Sequence, residues 1–599
     1  MIYLKIAKRD EIEQKYKWDL SKIYKSLEEW EQEYNEVNNM LTQFEQYRGR
    51  INKSSDILYE CLQKCDIIGQ KAERLFVYAK MKRDEDNSNS VYQSLTDRAN
   101  FINTNVEAAI SFIQPEIVSM SEQTIEKYMK ENTKLQVYRQ FFNNLLREKE
   151  HTLSPEIEEV LALSYDVCNV PENIFTMFNN ADIKFPFIKN EKGEEVELTK
   201  GRYSVFLESN NREVRRDAFL ALYNTYAKNI NTVATALIGN VKADKFLATV
   251  RKYNSTIEGA LNQDNIPVLV YDNLINTIKE NLGSLQRYLK IRKDKLKVDS
   301  LHMYDLYVPL VENDDEYIEF ERAKEIVIEA LKPLGDDYIR NLKEGLTSGW
   351  IDVFENEGKT SGAYSWGTYS TNPYVLLNYQ GNINDVFTLA HELGHSMHSF
   401  YTNKNQPYTY SHYKIFLAEV ASTVNELLLM KHLLKVTKDE KKRLYILNHY
   451  LETFRGTVFR QVMFAEFEKI IHERMWNKIP LTAETLNDIY INLNREYFGK
   501  DVFVDDEIKL EWARIPHFYS SFYVYKYATG FSAACSLSRQ ILEDGDEGVK
   551  RYLEFLSSGS SDYPIELLKK AGVDLSTAKP IQDALNEFDK LLDEFERLV

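Results

Sequence analysis

From about residue 20 to 180, apolar side chains recur at intervals of three and four, one segment after another. In LSKIYKSLEEWEQEYNEVNNMLTQFEQY the residues Ile23, Leu27, Trp30, Tyr34 and Val37 share one stripe, which predicts an amphipathic helix with Ser21 as a candidate cap. The same spacing predicts helices around residues 55–82, 89–113 and 121–149, joined by short loops as in an antiparallel bundle.

The pattern changes at ADIKFPFIKNEKGEEVELTKGRYSVFLES. An aromatic and β-branched run, a glycine-containing turn and a second alternating run predict a small hairpin near 182–199. Helical periodicity then returns until a second strand-like zone at about 348–380, comprising GWIDVFEN, KTSGAYSWGTYS and PYVLLNYQG. There Tyr374–Tyr379 is a short apolar run bounded by Pro373 and Gly381. Beyond it the chain reads as helical to the end, and IQDALNEFDKLLDEFERLV predicts an amphipathic packing helix. Internal repeats and low-complexity segments are absent.

Composition supports a mainly α protein. Glycine and proline together number 35 of 599 residues, little material for strand turns or flexible linkers. A hydrophobic fraction of 43% with 13% aromatics fits a large packed core and excludes a disordered chain. The net charge of −17 lacks any basic stripe that would neutralise phosphates, so no nucleic-acid partner is expected. Cys61, Cys65, Cys168 and Cys535 complete no zinc-ribbon pattern and read as scattered reduced thiols. The N-terminal stretch MIYLKIAKRDEIEQKYKWDL lacks a signal-peptide apolar run, and no segment approaches membrane-spanning length. The expectation is a cytoplasmic protein with no membrane association.

The chemistry concentrates in NDVFTLAHELGHSMHSFY. His391, Glu392 and His395 form an H-E-x-x-H pattern. Four residues apart on a helix, His391 and His395 point the same way and can present two imidazole nitrogens to one zinc ion. Glu392 lies about 100° round the helix, where it can act as general base toward a metal-bound water. Asn384 or Asp385 can cap this helix, with Val386, Leu389, Ala390, Leu393 and Met397 facing the core. Gly394 weakens a helix by about 1 kcal/mol relative to alanine, so its presence suggests close approach of another backbone. His398 shares the face, but three histidines along one helix span about 10 Å, too far for a compact tetrahedral site. It is expected to pack or to support the ligands.

A third ligand should come from elsewhere. In SHYKIFLAEVASTVNELLLMKHLL, Glu419 and Glu426 are seven apart and share a face, so one can ligate while the other orients a histidine. The apolar setting of Glu419 suggests a buried carboxylate that needs a cation. Further on, RIPHFYSSFYVYKYATGF gathers His517, Tyr519, Tyr523, Tyr525 and Tyr527, neutral donors suited to a tetrahedral oxyanion.

These residues resemble the oligoendopeptidase F branch of the thimet-oligopeptidase-like zinc metallopeptidases. Besides HELGH, the blocks YKWDLSKIYKSLEEWEQEY, KGRYSVFLESNNREVRRDAF, LHMYDLYVPL, SGAYSWGTY, PYVLLNYQG, FLAEVASTVNELLL and RIPHFYSSFYVYKYATGFSAA look like family blocks in family order. The resemblance implies His391, His395 and Glu419 as ligands of one zinc ion, Glu392 as base and Glu426 as a supporting acid. It places His517, Tyr523 and Tyr527 on the substrate side. It also implies a mostly helical ellipsoid with a deep substrate channel, an N-terminal helical region (1–180) covering a catalytic region (181–599), and a small β element beside the active-site helix. Trp366 stands where the family pattern suggests a smaller residue.

The expected function is a zinc-dependent endopeptidase cleaving internal bonds of short unfolded oligopeptides. The strand around Tyr374–Tyr379, with Gly362 and Tyr364, is expected to pair with the substrate backbone. A catalytically silent zinc protein would be expected to lose the glutamate after the first histidine, and Glu392 is present. An exopeptidase would need a charged anchor for a peptide terminus, for which no candidate stands out.

Overall fold

Side-chain caps set where the long helices begin. Ser26, Ser54, Asn89 and Ser121 each accept a hydrogen bond from a first-turn amide, opening helices Leu27–Leu41, Ser55–Glu85, Ser90–Ile110 and Glu122–Glu131. The first helix therefore starts later than its periodicity suggests. Ser21 lies inside a single 3-10 turn, Leu20–Lys22, whose cap is Asp19. The Glu29 carboxylate accepts the Lys25 amide at 2.8 Å and reinforces the true start at Ser26. The computed structural model describes residues 6–311 and 317–599, so the first five residues read for a signal segment lie outside it.

Packing divides the chain into two units, each gathered from three stretches. The first comprises 1–150, 315–432 and 537–572; the second comprises 151–314, 433–536 and 573–599. These units are cut differently from the 1–180 and 181–599 regions expected by resemblance, and the HELGH helix belongs with the N-terminal helices. Among the described residues no helix is long and apolar enough to cross a membrane.

In the first unit the N-terminal helices close around Trp18, Trp30, Val37, Leu58, Leu75 and Ile102. Tyr374 and Leu376, from far along the chain, complete the same core. Those two residues belong to a three-stranded sheet. Strand Tyr374–Leu376 is central: Ile351–Asp352 pairs parallel on one side and Tyr364–Trp366 antiparallel on the other. The expected pairing of a substrate backbone with the Tyr374 run is therefore corrected. Both edges of that strand are taken and all three of its residues are buried, whereas Tyr364–Trp366 is the edge strand beside the HELGH helix.

A buried ion cluster holds this sheet to the N-terminal segment. Asp352 accepts from Arg9 at 2.5 and 2.8 Å and from Lys359 at 2.8 Å, and the Lys359 side chain has no solvent exposure. Lys359 also donates to the carbonyls of Phe354 and Leu377 at 2.7 and 2.6 Å, so one ammonium ties its own loop to the Asp352–Phe354 stretch and to the end of the central strand.

In the second unit the predicted hairpin forms as Phe187–Lys189 paired antiparallel with Glu195–Glu197, turning at Gly193, whose φ is +78°. A π-helical turn at Phe178–Asp182 precedes it, and periodicity gave no sign of that turn. Helix Lys579–Leu598 packs as its pattern predicts, burying Ile581, Leu585, Phe588, Leu592 and Phe595.

Asp352→Asn removes the counter-charge of a fully buried ammonium. It should destabilise the first unit by about 3–5 kcal/mol, read as a lower unfolding midpoint in calorimetry. An unchanged midpoint would show that Lys359 and Arg9 do not depend on Asp352.

Candidate metal centre

The chain leaves the sheet through Gly381, whose φ is +89°, and enters helix Ile383–Asn405. Its cap is Asn382. The Asn382 side chain accepts the Asp385 amide at 3.1 Å, and the Asp385 carboxylate accepts the Asn382 amide at 3.0 Å. Asp385 is thus the return partner of the capping box, and Asn384 takes no part. Val386, Leu389, Ala390, Leu393 and Met397 are buried, which turns His391 and His395 toward the open side.

Helix Ile415–Val436 packs against this one at Gly394. A β-carbon there would meet the Ser422 Cα at 2.5 Å and the Ala421 carbonyl oxygen at 2.9 Å, so only glycine permits the contact. The Asn425 amide donates to the Ala390 carbonyl at 3.1 Å across the same seam. Tyr338 in turn donates to the Asn425 side-chain oxygen at 3.1 Å, leaving this buried amide well partnered.

The seam brings His391, His395 and Glu419 together, and this is the one such group able to hold a metal ion among the described residues. His391 Nε2 and His395 Nε2 are 3.2 Å apart, and Glu419 Oε2 stands 3.5 Å from the first and 3.7 Å from the second. Ligands about 2.1 Å from a tetrahedral zinc ion would be about 3.4 Å apart, so the three atoms fit that ion closely. Glu419 departs from expectation in one respect. Its side chain is 41% exposed, so the expected burial is corrected: the helix turns this position toward the open side of its apolar surroundings.

The supporting contacts are specific. Glu426 accepts from His391 Nδ1 at 2.5 Å, which directs Nε2 toward the other ligand atoms. Burial disfavours charge on His391, yet the Glu426 bond and the neighbouring carboxylates outweigh it and raise its pKa to about 9. Burial, and then the charge of His391, push His395 down to about 3. Glu392 is 7% exposed, and burial followed by repulsion from Glu419 and Glu426 raises its carboxyl to about 7. The backbone of Ser365, on the edge strand, acts against that rise. The Ser365 and Ser396 hydroxyls, 2.8 Å apart, join that strand to the helix.

His398 is packing. It is 1% exposed and stacks on Tyr413 with ring centroids 3.7 Å apart and an 8° interplanar angle; neither ring nitrogen has a hydrogen-bond partner. Trp366, 36% exposed, meets Phe76 edge-on at 5.7 Å.

In the second unit His517, Tyr523 and Tyr527 form a cluster of their own. His517 Nε2 lies 3.3 Å from the Tyr527 hydroxyl, and the Tyr523 ring is 6.1 Å from that of His517 and 5.5 Å from that of Tyr527. Burial and then the charge of Arg460 lower the pKa of His517, which favours neutral imidazole. Tyr519 and Tyr525 are instead buried.

Ser365 and Asn425 escaped the sequence reading. Ser365 lies within SGAYSWGTY, and Asn425 directly precedes Glu426, so both stood inside segments already singled out.

The model of Peptidase family M3 matches residues 205–587, and that of Oligopeptidase F matches residues 116–185. The chain is 48% identical over 591 residues to oligopeptidase PepF of Bacillus subtilis, covering 99% of this chain and 88% of that protein. The chain belongs to the oligoendopeptidase F branch of peptidase family M3. Members similar to it include an oligoendopeptidase F homolog of Lactococcus lactis, 43% identical over 99% of this chain and 98% of its own. A crystallised peptidase from Chlamydophila abortus superposes with a TM-score of 0.93 at 36% identity, covering 99% of this chain and 100% of its own. Oligoendopeptidase-F from Enterococcus faecium gives 0.74 at 39% identity, over 95% and 99% of the two chains. As an M3 family member the chain is a metalloendopeptidase with the mainly α fold of that family.

Gly394→Ala forces the two helices apart. It should destabilise the first unit by about 1–3 kcal/mol and reduce the zinc retained after dialysis. Wild-type zinc content in a folded Ala variant would show that the seam does not set the ligand spacing.

Proposed function

We propose that the chain is a zinc-dependent endopeptidase that cleaves internal bonds of short, unfolded oligopeptides in the cytoplasm. The observation that carries this reading is the 3.2–3.7 Å spacing of the ligand atoms of His391, His395 and Glu419. The names of the relatives, oligopeptidase and oligoendopeptidase F, support the substrate class. Four free cysteines suit a reducing compartment, and a net charge of −17 suits a protein without nucleic-acid partners.

His391, His395 and Glu419 would hold the zinc ion, and Glu426 keeps His391 in the tautomer whose Nε2 is free to ligate. When bound, zinc supplies Lewis acidity and a water whose pKa is drawn down to about 7. Glu392 is the general base. Its carboxyl, raised to about 7, is poised to accept a proton near neutral pH and to return it to the leaving amine. His517, Tyr523 and Tyr527 serve as neutral donors to the oxyanion that develops on the scissile carbonyl, a role that an uncharged His517 can fill through its N–H.

Digestion of a random peptide pool, with and without chelator, tests the assignment through mass spectrometry of the products. Internal cuts abolished by the chelator are expected; trimming from one terminus would replace this reading with an exopeptidase. Glu392→Gln should retain zinc while kcat falls by about 10²–10⁴-fold, and near-normal turnover would remove Glu392 from the mechanism. Glu419→Ala should lower the zinc content measured by elemental analysis, whereas His398→Ala should not; the reverse result would reassign the third ligand.

A further inference from the structure

Two acids of the second unit, Glu468 buried and Asp244 partly exposed, bond to the segment that joins His517 to Tyr523. The segment passes from the turn Pro516–Tyr519 to Phe522, whose φ of +57° is a conformation that residues bearing a β-carbon rarely adopt. Glu468, on helix Arg460–Trp476, accepts the Phe522 amide with Oε1 at 2.6 Å. Its Oε2 lies 3.4 Å from the Tyr271 hydroxyl, which donates to the Ala465 carbonyl at 2.7 Å. Asp244, on helix Ile230–Val250, accepts from the Ser521 hydroxyl with Oδ2 at 2.5 Å. The Phe522 ring is 3% exposed and packs against His472 at 4.7 Å and Tyr271 at 5.8 Å.

Among the described residues, neither acid pairs with a lysine or arginine. His472 Nε2 is 4.0 Å from Asp244, and burial holds that imidazole neutral, with a pKa lowered to about 3. Burial raises the pKa of Glu468 well above the usual range, and the charge of Asp244 adds to the effect. A buried carboxyl without a counter-ion is a poor packing element. This one spends an oxygen on the amide of a left-handed residue, directly before Tyr523.

We infer that Glu468 is a positioning residue: through the Phe522 amide it fixes the turn that aims Tyr523 and stacks it on His517. The inference rests on the proposed role of the His517–Tyr523–Tyr527 cluster as donors in catalysis. Asp244 is the second tether, acting through Ser521. A protonated Glu468 and a glutamine are close in shape and hydrogen bonding, since the glutamine oxygen accepts the Phe522 amide and its NH2 group can donate to the Tyr271 hydroxyl.

The test uses the zinc-loaded full chain and an internally quenched oligopeptide. Glu468→Leu should lower kcat by about tenfold or more with KM changed less than about twofold, while Glu468→Gln stays within about twofold of wild type. In a Tyr523→Phe background, Glu468→Leu should cost no further kcat, because the hydroxyl that it aims is already gone. Ser521→Ala, which keeps both acids, should lower kcat about threefold and serves if the leucine variant does not fold. Wild-type kcat in Glu468→Leu, or in Ser521→Ala where the leucine variant is unfolded, overturns the inference. So does a Glu468→Leu loss that multiplies with that of Tyr523→Phe. Wild-type kcat in Tyr523→Phe alone defeats the donor role itself, and the inference falls with it.

Discussion

Contact between two backbones at Gly394 and Ser422 sets the reach of the groups gathered at the candidate metal centre. Packed helices ordinarily lie about 8–10 Å apart, at a distance fixed by the side chains between them. Here one side chain is missing and the helices close until a β-carbon would clash. Glu419 sits one turn before Ser422, and His395 directly follows Gly394, so the contact brings the short Glu419 side chain within 3.7 Å of both imidazoles. Asn425 then locks the pair by bonding across the seam to Ala390. The spacing of the ligands is therefore a property of the helix pair before it is a property of any one ligand.

The charges around that seam are arranged to be uncomfortable alone. Glu392, Glu419 and Glu426 crowd two histidines, and their mutual repulsion helps to raise the Glu392 carboxyl to about 7. A dication relieves such crowding, and the same crowding draws the Glu392 carboxyl toward neutrality. The edge strand is tied to the helix through the Ser365 and Ser396 hydroxyls, 2.8 Å apart.

The parts of the site that were legible in the sequence are those fixed by helical geometry. The four-residue spacing of His391 and His395, the core face from Val386 to Met397 and the need for an explanation at Gly394 all follow from one local period. The exclusion of His398 by axial distance also stands, since that ring packs against Tyr413. What depends on tertiary context was less visible. The apolar neighbours of Glu419 suggested burial, but composition along a helix does not tell which neighbours lie on the solvent side. The run Tyr374–Leu376 reads as a strand from its residues, yet its central place in the sheet depends on Ile351–Asp352 and Tyr364–Trp366 flanking it. Likewise, no local pattern tells that Asp352 would bury Lys359, or that Glu468 would reach Phe522.

The N-terminal core has a consequence for synthesis of the chain. Helices built from residues 27–110 share one hydrophobic cluster with Tyr374 and Leu376, which emerge from the ribosome some 260 residues later. At about 5–20 residues per second the nascent helices wait roughly 13–50 seconds for the residues that complete their core. During that interval their apolar faces are partly uncovered, while the chain of the second unit from 151 to 314 is made in between. The unit that holds the HELGH helix is thus completed late in translation.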